Sequence, residues 1–197
     1  MIDQIVRKLE KEGVAFIPNF LDANGLQNIH DFFEEQHTFF QAARVGADEN
    51  KKRIESVRGD LTYWLDPQAP SGCFLPIIDF LNNLKEKMNQ ELFMGLQDYE
   101  CHLAYYPPGS FYQKHTDVFK KKSTRKLSFI FYLNRDWNEA YGGDLVLYDE
   151  AGKVVENIYP MPGTFVCFLS HDYPHEVKPS TKERRSLTGW MHTKMIY

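Results

Sequence analysis

Tyr112-Gln113-Lys114-His115-Thr116-Asp117, read together with Pro174-His175-Glu176-Val177 and with Arg184 beyond it, is the stretch around which the chain is organised. On an extended strand the side chains of residues i and i+2 point to the same side, so His115 and Asp117 can reach one cation while Thr116 faces away. A second histidine brought in on a later strand would complete a two-histidine, one-carboxylate face. That arrangement holds non-haem Fe(II) and leaves its other positions open. His175 is the best candidate.

From Gly95 to the C-terminus the apolar pattern has a period of two. Candidate strands are Gln97 to Tyr106, Phe111 to Asp117, Lys126 to Asn134, Asp144 to Tyr148, Lys153 to Ile158, Gly163 to Leu169, Pro174 to Lys178 and Arg184 to Thr193. Between them stand Pro107-Pro108-Gly109, Gly142-Gly143, the hairpin signal Ala151-Gly152, and Pro160-Met161-Pro162-Gly163. Many short strands with turns between them indicate a double-sheet jelly roll or barrel. Upstream, residues 2 to 12 show helical spacing closed by Gly13, and Val14 to Ile17 reads as a short strand. Asp22 caps a second helix from Ala23 to Gln36, and Leu75 to Leu92 marks a third. From Thr38 to Gly72 the pattern dissolves into charge, Gly and Pro, with one extended segment around Arg58 to Trp64. The expected fold is α+β, a jelly roll braced by N-terminal helices. It is expected as one domain over 1–197, with helical support and a mobile loop in 1–95 and the jelly-roll core in 96–197.

Composition narrows the function. The 197 residues are 43% hydrophobic and 15% aromatic, enough for one substantial core with no linker-like run dividing it. A net charge of -4 gives no general attraction to nucleic acid or to an anionic membrane surface. No run approaches the ~18 apolar residues of a membrane span, and the N-terminus lacks the apolar segment of a signal peptide, so a cytoplasmic protein is expected. Cys73, Cys101 and Cys167 are odd in number and fit no CxxC spacing, which favours buried free thiols over disulfides.

Further residues fall on the faces that such a site would use. Arg184, Ser186, Thr188 and Trp190 share one side of the last strand, with Leu187 and Met191 on the other. A buried Arg there can clamp a carboxylate through two parallel N–H bonds, which Lys would do only as a point charge. Ser128, Ile130, Tyr132 and Asn134 line one side of the strand from Lys126, and Tyr106 and Tyr112 flank the first ligand pair. His171 stands four residues before His175, but the intervening Pro174 argues against a helical metal pair. His171, His30, His37, His102 and His192 are read as structural. Lys120, Lys121, Lys122, Arg125 and Lys126 read as a solvated basic loop.

In order, His-x-Asp, Tyr-Leu-Asn-Arg-Asp-Trp, Gly-Gly-Asp-Leu, Pro-His-Glu-Val and Arg-x-x-x-Thr-x-Trp resemble the 2-oxoglutarate- and Fe(II)-dependent oxygenases, most of all the HIF-type prolyl 4-hydroxylases and their bacterial relatives. The likeness covers about residues 56 to 193. It implies that His115, Asp117 and His175 bind iron, and that Arg184 and Tyr132 hold the distal carboxylate of 2-oxoglutarate. Thr188 then lies in the same pocket, Trp190 forms a wall, and Tyr106 lies near the keto acid. Arg58-Gly59-Asp60 with Trp64 resembles the border of the family's substrate-covering loop, and Arg125 matches an arginine of the substrate groove; an Asp60–Arg125 ion pair is expected between them. Trp64 lies one residue later than in the animal members, and Tyr106 has one residue fewer before His115. The implied cofactors are Fe(II), 2-oxoglutarate and O2, with ascorbate as an optional addition. The implied reaction is 4-hydroxylation of a prolyl residue in a protein, with elongation factor Tu (EF-Tu) as a candidate substrate in bacterial relatives. Two other readings stand beside it: a hydroxylase of a free amino acid or other small metabolite, and a silent jelly-roll module holding Zn(II). A zinc hydrolase would leave Arg184 and Tyr132 without a use.

Overall fold

Apolar residues at helical spacing form three helices where the sequence places them. α1 (Ile2–Glu12) buries Ile5, Val6 and Leu9 and stops at Gly13, whose φ of 68° forms a left-handed cap and whose N–H reaches the Leu9 carbonyl at 2.9 Å. α2 (Ala23–Gln36) starts at Asp22, which accepts the Gly25 N–H at 2.8 Å. α3 (Leu75–Leu92) buries Ile77, Ile78, Phe80, Leu81, Leu84 and Met88. The computed structural model describes residues 1–43, 57–118 and 123–195. The stretch 44–56 of the long loop and the lysines Lys120, Lys121 and Lys122 of the basic run lie outside the described residues.

The strands are β1 (Val14–Ile17), β2 (Gln41–Ala42), β3 (Leu61–Leu65), β4 (Asp98–Tyr106), β5 (Tyr112–His115), β6 (Arg125–Tyr132), β7 (Leu145–Tyr148), β8 (Val154–Ile158), β9 (Phe165–Leu169), β10 (His175–Val177) and β11 (Arg184–His192). They make two antiparallel sheets, ordered β1-β9-β6-β11-β4-β3-β2 and β5-β10-β7-β8. With the helices outside, this is the α+β jelly roll that the period-two pattern implies. The large sheet also reaches into the N-terminal half, which supplies β1, β2 and β3 as well as helices. The reason is pairing: Leu61 to Leu65 align against Tyr105 to Cys101 of β4, and Val14 to Ile17 against Phe168 to Phe165 of β9.

The large sheet is covered on both faces, so its central strands are apolar almost throughout. Alternation then decides destination rather than exposure. Leu127, Phe129, Phe131, Phe165, Cys167, Leu187 and Met191 pack outward with the helices. Ile130, Tyr132, Ala104, Tyr106, Val166 and Phe168 turn inward with Leu145, Leu147 and Val177 of the small sheet. Gly189 sits at the centre of β11, where a Cβ would lie 2.3 Å from the Glu100 carbonyl oxygen and 2.4 Å from the Phe129 ring. The neighbours on both sides close over that position, so it admits no side chain. Cys73, Cys101 and Cys167 are all free; the last two are buried and Cys73 is half-buried. Among the described residues no helix is long and apolar enough to cross a membrane.

Phe131 is fully buried, with ring centroids 5.1, 6.0 and 4.7 Å from those of Phe20, Phe80 and Phe165. Phe131→Ala is therefore expected to cost about 3–5 kcal/mol, read as a lower urea midpoint with an unchanged slope.

Candidate active site

Register between two short strands brings the histidines together. β10 runs antiparallel to β5, with His175 directly opposite His115, and the two rings lie 4.3 Å apart. Each Nδ1 faces a backbone carbonyl two residues back: Gln113 at 2.8 Å for His115 and Tyr173 at 3.0 Å for His175. With Nδ1–H donating to these carbonyls, both Nε2 lone pairs are free to coordinate, the arrangement usual in ligating histidines.

Asp117 is the third member. β5 ends at His115 instead of running on to Asp117 as the sequence suggests, so a bend rather than strand alternation turns the carboxylate inward. There it accepts the Ser128 hydroxyl at 2.6 Å, and Ser128 is in turn 2.9 Å from Ser170. Its two oxygens stand 3.7 Å from His115 Nε2 and 3.6 Å from His175 Nε2. These gaps are too long for hydrogen bonds and suit donors arranged around one cation. The three ligand atoms lie within 4.8 Å of one another. Burial, then the neighbouring His175, brings the His115 pKa down, which keeps that ring neutral. Burial works to raise the Asp117 pKa, but His175, His115 and the Ser128 hydroxyl outweigh it and lower it, which keeps the carboxylate ionised. Two imidazoles and one carboxylate form a donor set for a divalent first-row metal.

The same cavity reaches Arg184, at the start of β11. Only 2% of Arg184 is exposed, its Nε–H donates to the Gly143 carbonyl at 3.0 Å, and Nη1 is 3.4 Å from Ser186 Oγ. Its guanidinium lies 5.1 Å from the Tyr106 ring and 5.0 Å from the Tyr132 ring. No carboxylate among the described residues pairs with it. A buried cation without a counter-ion is costly, and the remaining N–H donors suit an anionic ligand. Tyr132 is wholly buried beside this arginine, and its hydroxyl has no hydrogen-bond partner among the described residues. Thr188, Trp190 and Tyr106 line the cavity; Tyr132 does not.

Outside lies a groove of about 500 Å³, bordered by Phe39, Thr62, Trp64, Arg125 and Trp190. Phe39 is 63% and Trp64 49% exposed, so apolar faces line its walls. The expected Asp60–Arg125 pair does not form. Asp60 is buried and takes two bonds from Arg58, at 2.7 and 2.6 Å, while Arg125 reaches Glu100 at 2.7 Å and stacks 3.7 Å over Trp190. Each charge finds a nearer partner, and Asp60 does not border the groove. Two residues gain importance that their sequence context did not signal. Arg58 lies 4.2 Å over the Tyr112 ring, which stacks 3.6 Å against His115 and so buttresses a ligand. His102, read from the sequence as structural, borders both cavity and groove. His171 is exposed, as expected of a surface histidine.

Comparison with known proteins places this geometry. Residues 101–192 match the model of the 2OG-Fe(II) oxygenase superfamily. The structure is similar to a Pseudomonas putida prolyl-4-hydroxylase, with 33% identity, a TM-score of 0.86 and coverage of 99% of this chain and 100% of that one. It is also similar to a Trichoplax adhaerens prolyl hydroxylase in complex with a hypoxia inducible factor oxygen degradation domain peptide, with 26% identity, a TM-score of 0.82 and coverage of 98% and 89%. The rat protein Egl nine homolog 1 is 27% identical over 203 residues, 96% of this chain and 58% of that protein. The chain thus spans about half the length of the first curated relatives it matches.

Added Mn(II), Zn(II) or anaerobic Fe(II) should raise the thermal midpoint of the metal-free protein, by about 2.7 kcal/mol of stability at a hundredfold excess over Kd. Asp117→Ala should abolish that shift; a shift that persists would place the metal elsewhere.

Proposed function

This chain belongs to the 2OG-Fe(II) oxygenase superfamily, and on that premise we propose that it hydroxylates a prolyl residue, at the 4-position, in a protein substrate. One observation carries the reading: a three-ligand cluster and a buried guanidinium with no carboxylate partner among the described residues share one cavity. A zinc module or zinc hydrolase has a use for the first feature and none for the second.

The residues fit the group that the family requires. His115, Asp117 and His175 would hold Fe(II). Arg184, with the Tyr132 hydroxyl and Thr188 nearby, would hold the far carboxylate of 2-oxoglutarate. When bound, iron and 2-oxoglutarate activate dioxygen, so that one oxygen atom enters a substrate C–H bond while 2-oxoglutarate leaves as succinate and CO2. The chain's own work is positional. Gln113 and Tyr173 carbonyls set the histidine tautomers, Ser128 and Ser170 orient the carboxylate, and Gly143 aims Arg184. Tyr106, Ile130, Leu145, Phe168 and Val177 give the cavity apolar walls, with Trp190 toward the groove, which limits water at the reacting centre.

The open groove with Trp64, Phe39 and Arg125 favours a polypeptide over a small metabolite, since a free amino acid would leave most of those walls uncovered. Peptide binding by the Trichoplax relative supports the same choice. EF-Tu is a candidate substrate, and ascorbate is a candidate auxiliary.

Succinate release from 2-oxoglutarate should depend on both Fe(II) and O2, and intact-mass analysis of host proteins treated with the enzyme should show a single added oxygen. Oxygen added only to free amino acids would overturn the protein-substrate reading. Arg184→Lys should raise the KM for 2-oxoglutarate about 10- to 100-fold through loss of a forked, charged contact. An unchanged KM would remove Arg184 from that role.

A further inference from the structure

His102 has no part in the roles above, yet it occupies the passage between groove and metal cavity. On β4 it stands opposite Thr188 of β11 and Trp64 of β3. Its ring lies against two indoles, 4.8 Å from Trp64 and 5.6 Å from Trp190, which are themselves 6.5 Å apart, and only 3% of the residue is exposed. Nδ1 is sealed from solvent and has no hydrogen-bond partner among the described residues. An apolar side chain would fill the space beside these indoles without leaving a buried polar atom unpaired, which is costly. Burial brings its pKa down to about 4, so at neutral pH the ring is uncharged, with one N–H donor and one acceptor nitrogen.

We propose that His102 is a specificity residue, donating the N–H of its other ring nitrogen, Nε2, to a backbone carbonyl of the polypeptide segment that carries the target residue. The proposal rests on the prolyl-peptide reading and deepens it. A prolyl residue has no backbone N–H, so near the target the main chain offers mostly carbonyl oxygens, which only accept. A neutral donor is the matching partner. The flanking faces of Trp64 and Trp190 give the pyrrolidine ring an apolar seat beside it. With Nδ1 sealed, the proton belongs on Nε2, and a ligand that lacks a correctly placed acceptor leaves that donor unpaired, so the site discriminates against it.

The test starts with wild-type enzyme loaded with Fe(II) and 2-oxoglutarate, screened under air against a panel of synthetic proline-containing peptides from host proteins by mass spectrometry. For a peptide that gains oxygen, His102→Leu should raise the peptide KM about tenfold, the worth of one hydrogen bond, while the KM for 2-oxoglutarate moves less than about twofold. His102→Gln keeps an N–H donor and should restore most of the loss. Circular dichroism and the metal-induced thermal shift establish that each variant is folded. A peptide KM in the Leu variant equal to wild type overturns the proposal. So does a defect that Gln fails to restore, or one equally large for 2-oxoglutarate, since packing then accounts for it. If the wild type consumes 2-oxoglutarate but oxidises no prolyl peptide, the prolyl reading fails and this proposal with it; that failure shows in the unsubstituted enzyme.

Discussion

The cross-strand register of β5 and β10 is the constraint on which the site depends. It sets His115 opposite His175, residues far apart along the chain, and a slip of one residue would turn one imidazole away from the other. The small sheet that carries them is held by apolar contacts to the inward face of the large one, through Leu145, Leu147 and Val177. The large sheet is held in turn by three helices on its outer face. Packing far from the metal ligands therefore sets the spacing between them. Local hydrogen bonds from each Nδ1 to a carbonyl two residues back along the chain orient the rings.

Arg184 shows a second constraint, in which the fold holds an electrostatically unfavourable group. The guanidinium is taken out of water, flanked by two tyrosine rings and held by one backbone carbonyl, yet given no carboxylate among the described residues. That carbonyl belongs to Gly143, whose φ of 74° suits glycine, and a Cβ there would lie 3.0 Å from both Ser180 and Trp137. The turn that the Gly-Gly pair announces is thus also part of the arginine's seat. A carboxylate side chain in the chain itself would satisfy Arg184 and compete with any dicarboxylic ligand.

At the mouth the charges are treated oppositely. Arg58 is matched with Asp60, and Arg125 with Glu100, which His192 also approaches at 3.2 Å. Neutralised in this way, the arginines act through their flat faces, Arg58 over Tyr112 and Arg125 over Trp190. The groove consequently offers ring surfaces and few unpaired charges. That character suits an extended, uncharged segment such as a proline-containing peptide, and it leaves His102 as the polar point beside the indoles.

Much of this was legible along the chain. Helical and two-fold periodicities belong to short windows of residues, so α1, α2, α3 and the C-terminal strands follow from them, as do Gly13 and Asp22 as caps. Residue type and strand phase likewise put His115, His175, Arg184 and Thr188 on faces that meet in one cavity. Asp117 joins them, but by a bend rather than by strand alternation, because where a strand ends depends on its partner. The partners of Asp60 and Arg125, the stacking of Arg58 on Tyr112 and the place of His102 against two indoles were decided by tertiary structure alone. Long side chains choose among neighbours delivered by β3–β4 and β4–β11 pairing, and that choice is a property of register and distance across strands, which no local pattern of residues encodes.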